Sequence, residues 1–257
     1  DDYSDYDSPV TGQLEALYHL HDTGLSFFAK YANSYAPPSP SDLAFDNDVI
    51  NQAPANTDLD AEESDSYECG VRYIGLEDAL TCTVVYFRND IDDLIGYAYE
   101  ADYSNWPDVI EITNDSYNVG SATTEGLEFS FDYSATQQLD LAVAYTYLTA
   151  TDDDEDERLL RRPRHMLQLS ANYQFTDSIS AGVQGVGYFD REDYDAVTYE
   201  RIDQEDSFVV NFVADWNINE RFSVFARAEN LLDESYEAVN GYPALGTTGY
   251  VGARFNF

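Results

Sequence analysis

Leu127-Glu128-Phe129-Ser130-Phe131-Asp132-Tyr133 alternates at every step, apolar at the odd positions and polar at the even ones. Successive side chains of an extended strand point to opposite faces, so this stretch shows one greasy face and one wet face. After a short break the pattern resumes at Leu139, Leu141, Val143, Tyr145 and Tyr147, which makes the pair a hairpin. Leu167, Leu169, Ala171, Tyr173 and Phe175 repeat it, as do Phe208, Val210, Phe212, Ala214, Trp216 and Ile218. About eleven such segments are predicted, near 12–20, 25–33, 66–74, 80–96, 117–133, 139–149, 163–175, 178–189, 207–218, 222–230 and 250–257. The fold class is all-β.

Composition agrees and narrows the function. Twenty-two Tyr and 14 Phe favour strands over helices, and a hydrophobic content of 44% is too high for a disordered chain. Against 50 Asp+Glu stand 12 Lys+Arg, a net charge of -38, so a phosphate backbone has no cationic surface to bind and nucleic acid is excluded as a partner. No run of about 18 apolar residues is present to form a spanning helix.

The connections decide between a soluble and a membrane architecture. Those near 21–24, 75–79, 134–138, 176–177 and 219–221 are short, and those at 34–65, 97–116, 150–162, 190–206 and 231–249 are long. The two kinds alternate strictly, so short and long connections lie on opposite rims. Tight turns on one side, long loops on the other and a half-apolar strand pattern are the marks of an antiparallel transmembrane β-barrel, whose backbone groups are all paired within the sheet. A mean hydropathy of -0.45 is compatible with that, because only alternate residues meet lipid. A passive pore or structural barrel of about twelve strands is one functional reading, and a soluble acidic β-sandwich is a remote one. No phosphate loop, nucleophile elbow or Cys-His cluster supports an enzyme.

Several blocks carry a family resemblance. The stretches YANSYAPPSPSDL and NTDLDAEESDSYECGV, followed by YFRNDIDDLI, YNVGSATTEGLEFS, LLRRPRHMLQLSANY and ARAENLLDESYEAVNGYPALGTTGYVGARFNF, resemble in order the signatures of TonB-dependent outer-membrane receptors. Leu159-Leu160-Arg161-Arg162 and YEAVNGYPALG look most like the vitamin B12 (cobalamin) receptor branch, with ferric-siderophore receptors as the alternative. Two departures stand out. Asp58 and Asp60 replace prolines on either side of Leu59, and Gly246-Thr247 stands where Gly-Arg is usual.

The resemblance implies a 22-stranded barrel in the outer membrane of a Gram-negative cell. It is closed by an N-terminal plug and energised by TonB to take up a scarce large nutrient. An odd strand count, and an opening DDYSDYDSPVTG that reads as a loop, lead to the expectation that residues 1–257 are the C-terminal half of such a barrel, with plug and N-terminal strands absent. Tyr250, Gly252, Phe255 and Phe257 resemble the closing-strand signal read by the barrel-assembly machinery. The ligand, cobalamin or a ferric siderophore, is expected at the long loops.

Three further sites are weighed. Asp152, Asp153, Asp154 and Asp156, within a run of six acids, could hold Ca²⁺ through carboxylate oxygens, as the cobalamin branch is expected to do; the alternatives are a solvated loop or adaptation to high salt. Cys69 and Cys82 face each other if the hairpin centre lies between Gly75 and Leu76, which would permit a disulfide; otherwise they are two small apolar side chains toward lipid. Arg161, Arg162 and Arg164 are expected to pair with the neighbouring acid run or to hold the loop to the rim.

Overall fold

A computed structural model describes residues 10–39, 59–102, 111–118 and 120–256. Its strands are β1 (Gly12–Leu20), β2 (Leu25–Ala36), β3 (Glu62–Gly75), β4 (Leu80–Asp92), β5 (Ile95–Asp102), β6 (Glu111–Asn118), β7 (Ala122–Ser134), β8 (Leu139–Asp152), β9 (Glu157–Arg158), β10 (His165–Thr176), β11 (Ile179–Phe189), β12 (Arg191–Tyr194), β13 (Arg201–Gln204), β14 (Ser207–Asn219), β15 (Phe222–Glu229), β16 (Glu237–Val239), β17 (Tyr242–Pro243) and β18 (Thr248–Phe255). One sheet orders β1-β2-β3-β4-β7-β8-β10-β11-β14-β15-β18, an antiparallel meander without a crossover, with β9 appended to β8. Each of the eleven predicted segments has its main part on one of its strands. The three other pairs, β5–β6, β12–β13 and β16–β17, are small hairpins standing in the long connections.

The register shows why the alternation matters. Tyr18, Phe27, Val71, Val84, Phe129, Tyr145 and Leu167 lie side by side across seven strands on one face. One residue along, His19, Ser26, Arg72, Thr83, Ser130, Ala144 and Gln168 form the facing row on the other side. Among the described residues the buried apolar side chains are few, Pro38, Leu59, Ala61, Ala122 and Ala150, while Phe27, Val84, Leu127, Phe129, Leu169 and Val183 are exposed. A water-soluble fold needs its apolar groups inside, and a contiguous exposed apolar face of this size marks a surface that meets something other than water.

The outer face has borders. Toward the long loops, Tyr31 and Tyr67 meet at a tilt with ring centroids 5.3 Å apart, and Tyr31 and Tyr86 donate hydroxyl hydrogens to Asp65 (2.6 Å) and Glu125 (2.8 Å). Toward the short turns lie the Tyr173–Phe175 edge contact at 4.8 Å and the exposed Trp216 and Phe255. These are aromatic belts, in which a ring is apolar and its tip is wet. Between them lies the part of β8 from Leu139 to Tyr147, about 30 Å along the strand and about 20 Å in height at a tilt of roughly 45°, close to the roughly 25 Å apolar band of an outer-membrane barrel.

Three expectations change. The predicted strand 80–96 breaks at Asp93, whose φ of +57° turns the chain, and residues 117–118 belong to the loop hairpin β5–β6 rather than to β7. The β3–β4 turn is centred two residues later than expected, so Cys69 faces Tyr86 and Cys82 faces Tyr73. The two cysteines are thus not cross-strand neighbours. They lie four positions apart along one face, roughly 13 Å at strand rise, and both are free thiols, so this register does not bring together the bridge that the expected one would have permitted. Their outward row, shared with Tyr73, Val84 and Tyr86, fits small apolar side chains toward lipid.

Candidate functional site

The packed part of the molecule is at the long-loop rim. Leu59, Ala61, Ala122 and Ala150 lie there, and so do the buried polar residues Arg191, Asp193, Gln204, Ser207 and Asn230. The sequence predicts the ligand at these loops; those numbered 34–65 and 97–116 include residues 40–58 and 103–110, which fall outside the described residues.

Asn118 closes the first pair of loops. Its Oδ1 accepts the Asp60 N–H at 2.9 Å, while its Nδ2 donates to the carbonyls of Asp60 (3.0 Å) and Asp93 (2.6 Å). The replacement of proline at position 60 has a physical use, because proline has no N–H to give Asn118.

The acid run 152–157 folds into a tight turn. β9 pairs back on β8, Asp152 opposite Glu157, and Asp152 Oδ1 accepts the N–H groups of Asp154 (3.0 Å) and Glu155 (3.1 Å). Asp153 accepts the Thr123 hydroxyl at 2.6 Å, and Asp156 takes the left-handed conformation that Asp tolerates. Among the described residues no three His, Cys, Asp or Glu side chains converge on a point that could hold a metal ion. A calcium site over Asp152, Asp153, Asp154 and Asp156 would need several of their carboxylate oxygens drawn to about 2.3–2.6 Å from one centre, which this turn does not show.

The arginines after the run reach past it to the next loop. Arg158 donates to Asp190 Oδ1 and Glu192 Oε1, both at 2.9 Å, and Arg164 pairs with Asp190 at 3.0 Å. Arg161 Nε donates to Asp193 Oδ1 at 2.8 Å, and its backbone N–H to the Glu192 carbonyl at 2.8 Å. Arg201 returns from β13 to Glu157 and, at 2.9 Å, to Glu192. Arg191 reaches the third loop, donating to the carbonyls of Glu237 (2.8 Å) and Ala238 (3.0 Å). Five of the twelve cations thus serve one loop cluster. The predicted pairing of Arg161 and Arg164 is with acids about thirty residues away, not with the adjacent run.

At the base of the third loop Asn230, in the NLLDESY block, has a φ of +52° and is 3% exposed. Its side chain accepts the Glu234 N–H (2.8 Å) and donates to the carbonyls of Glu234 (2.8 Å) and Leu245 (3.2 Å). Thr247 replaces the usual arginine, donating its hydroxyl to the Asn230 carbonyl at 2.7 Å and its N–H to Asp233 at 3.0 Å. Tyr250, Gly252 and Phe255 lie on β18, paired with Arg227, Phe225 and Phe222; Phe257 falls outside the described residues. Inside the wall the polar face carries Lys30 paired with Glu68 at 3.2 Å, together with Arg72, Glu128 and Asp132.

The cluster is acid-sensitive in a definite direction. The hydrogen-bonded Arg158 guanidinium, with Arg164 nearby, holds Asp190 below the usual carboxylate range against the cost of burial. At Asp193 burial pushes upward, but the N–H of Asn240, Arg161 and the N–H of Tyr194 together outweigh it and the net shift is downward. A carboxylate depressed in the folded state contributes stability above its unfolded value of about 3.9 and loses it as pH falls through the lower folded value. The loops are expected to stay closed from pH 7 to about 4 and to open below it. Amide exchange across 190–206, corrected for intrinsic rate, checks this.

A one-layer antiparallel sheet, apolar and aromatic-belted outside, polar inside, with tight turns on one rim and folded loops on the other, is the wall of a transmembrane β-barrel. Comparison with known proteins agrees, since the family model for the TonB dependent receptor-like β-barrel matches residues 1–231. The chain belongs to the TonB-dependent receptor family, whose members are outer-membrane transporters of Gram-negative bacteria and not enzymes. It is 26% identical over 260 residues to a vitamin B12 transporter, BtuB, of Photobacterium profundum, a match that covers 100% of this chain and 39% of that protein. Among solved structures it shares its fold with the copper transporter OprC (TM-score 0.76, 16% identity, 96% of this chain and 39% of that one). It likewise resembles a mutant of the ferric enterobactin receptor PfeA of Pseudomonas aeruginosa (0.75, 19%, 96% and 40%). The chain spans about two fifths of these relatives.

Proposed function

We propose that this chain is the C-terminal barrel portion of a TonB-dependent receptor that imports cobalamin, with the loops 153–164, 190–206 and 230–247 forming part of its ligand-facing rim. The observation that carries the reading is the match to a vitamin B12 transporter along the whole chain. The remaining strands and the plug that TonB would engage belong, on this reading, to the parent receptor, which also supplies the partners for the edges at β1 and β18; lipid satisfies no open edge. A ferric siderophore is the second reading, favoured by the fold shared with the ferric enterobactin receptor.

The test is a titration of the intact parent receptor in detergent with cyanocobalamin and, separately, with ferric enterobactin. Saturable binding of the corrinoid alone supports the first reading. Saturable binding of the iron chelate alone replaces it with the second, and binding of neither removes both.

A further inference from the structure

We propose that Asp193 couples three long loops, 153–164, 190–206 and 230–247, into one cap that opens and closes as a unit. The proposal rests on these loops belonging to a receptor rim, but not on which ligand it binds. Asp193 is 1% exposed, and its carboxylate is shared out among three segments of chain. Oδ1 accepts Arg161 Nε from the preceding loop at 2.8 Å and the Tyr194 N–H of its own hairpin at 2.8 Å. Oδ2 accepts the Asn240 N–H of the following loop at 2.9 Å. No loop of the three can leave without stranding a buried charge or N–H, and such losses are larger than the gain from any single bond.

Neighbouring contacts reinforce the same joint. Asn240 Oδ1 accepts the Ala196 N–H at 3.0 Å, its Nδ2 donates to Gln204 at 3.3 Å, and Arg191 holds two carbonyls of the third loop. Among the described residues Arg191 Nε is buried without a hydrogen-bond partner, so the joint already carries one unsatisfied donor. The clasp at Asn118 is separate. It ties Asp60 to Asp93, and it meets the cap at the rim through the Asp153 N–H on the Ser121 carbonyl (2.9 Å) and the Thr123 hydroxyl on Asp153. Two bodies on one rim are therefore expected, with different opening rates.

Hydrogen exchange of the intact receptor in detergent, without ligand, tests the coupling. It is run at alkaline pH, where exchange outpaces reclosing and each opening event is recorded whole. Peptides from 157–164, 191–204 and 237–243 should then give two-population isotope envelopes that convert with one shared rate constant, while 111–118 converts at another. In Asp193→Asn the three rates should rise by about a hundredfold and separate, because the amide carries no charge and only one oxygen can still accept, so that of the three bonds at least one is lost and the others are weakened; 111–118 should be unchanged. Arg161→Gln should speed 157–164, which Arg158, Arg164 and Arg201 still tether to the second loop, while the other two segments keep one shared rate, which keeps the test usable if the first variant fails to assemble. Three different rates in the unaltered receptor, or an Asp193→Asn effect confined to 191–204, would overturn the proposal. Because no ligand is used, that failure is distinct from failure of the cobalamin reading.

Discussion

Phe129→Arg is expected to destabilise the barrel by about 2–4 kcal/mol, whereas Ser130→Arg, one residue along, should cost less than about 1 kcal/mol. Phe129 lies near the middle of the apolar band, between Val84 and Tyr145, on the face that carries Phe27, Val71 and Leu167. An arginine there must hold its charge in hydrocarbon or bend toward a rim. Ser130 points to the other face, where it lines a polar surface with Asp132, Gln168 and Gln184. A guanidinium at that position stays hydrated and finds acids within reach. Urea unfolding of the intact receptor in vesicles measures both, and equal costs would mean that the two faces have been assigned wrongly.

The second large effect is expected at Gly126→Val, at about 3 kcal/mol or more. Gly126 sits within the TTEGLEFS block, between Phe87 of β4 and Leu148 of β8. A Cβ there would press on the Tyr147 carbonyl oxygen and come within 2.9 Å of the Phe87 ring. The ring can turn aside, but the carbonyl belongs to the neighbouring strand and can move only with its ladder. The glycine is thus a requirement of close approach, with no positive φ involved. The loss of the heat-modifiable folded band on an unboiled gel measures it, and Gly126→Ala should show a smaller defect of the same kind.

The contrast between strands and loops explains what the sequence discloses. Strand positions are legible because a half-wet wall forces period two, and no tertiary contact is needed to see it in 127–133 or 139–147. The register of the β3–β4 hairpin is a different matter. Leu76, Glu77 and Asp78 all take positive φ, at 53°, 56° and 69°. Nothing in GLEDA signals three left-handed residues in succession, as Asn-Gly would signal two. The turn moved by two residues and carried Cys69 and Cys82 apart. The loop cluster was hidden for another reason: Arg161 and Asp193 are 32 positions apart, and each looks locally like one more charge in an acidic stretch. A signal was present in the scarcity of cations. With twelve in the chain, four arginines within 158–164 are too many to be spent on a solvated loop.

That economy has a consequence for the environments in which the receptor can work. Dissolved ions shield charges beyond a Debye length of about 8 Å at physiological ionic strength and about 3 Å at 1 M. Repulsion among the exposed acids therefore weakens steeply as water turns from fresh to brine. Pairs held at 2.8–3.0 Å around Asp190 and Asp193 lie within that length at either extreme. Ionic strength then acts on the fringe of the acidic face while the arginine-tied loops keep their shape, and the loop rim is built to stay the same object across a wide range of salinity.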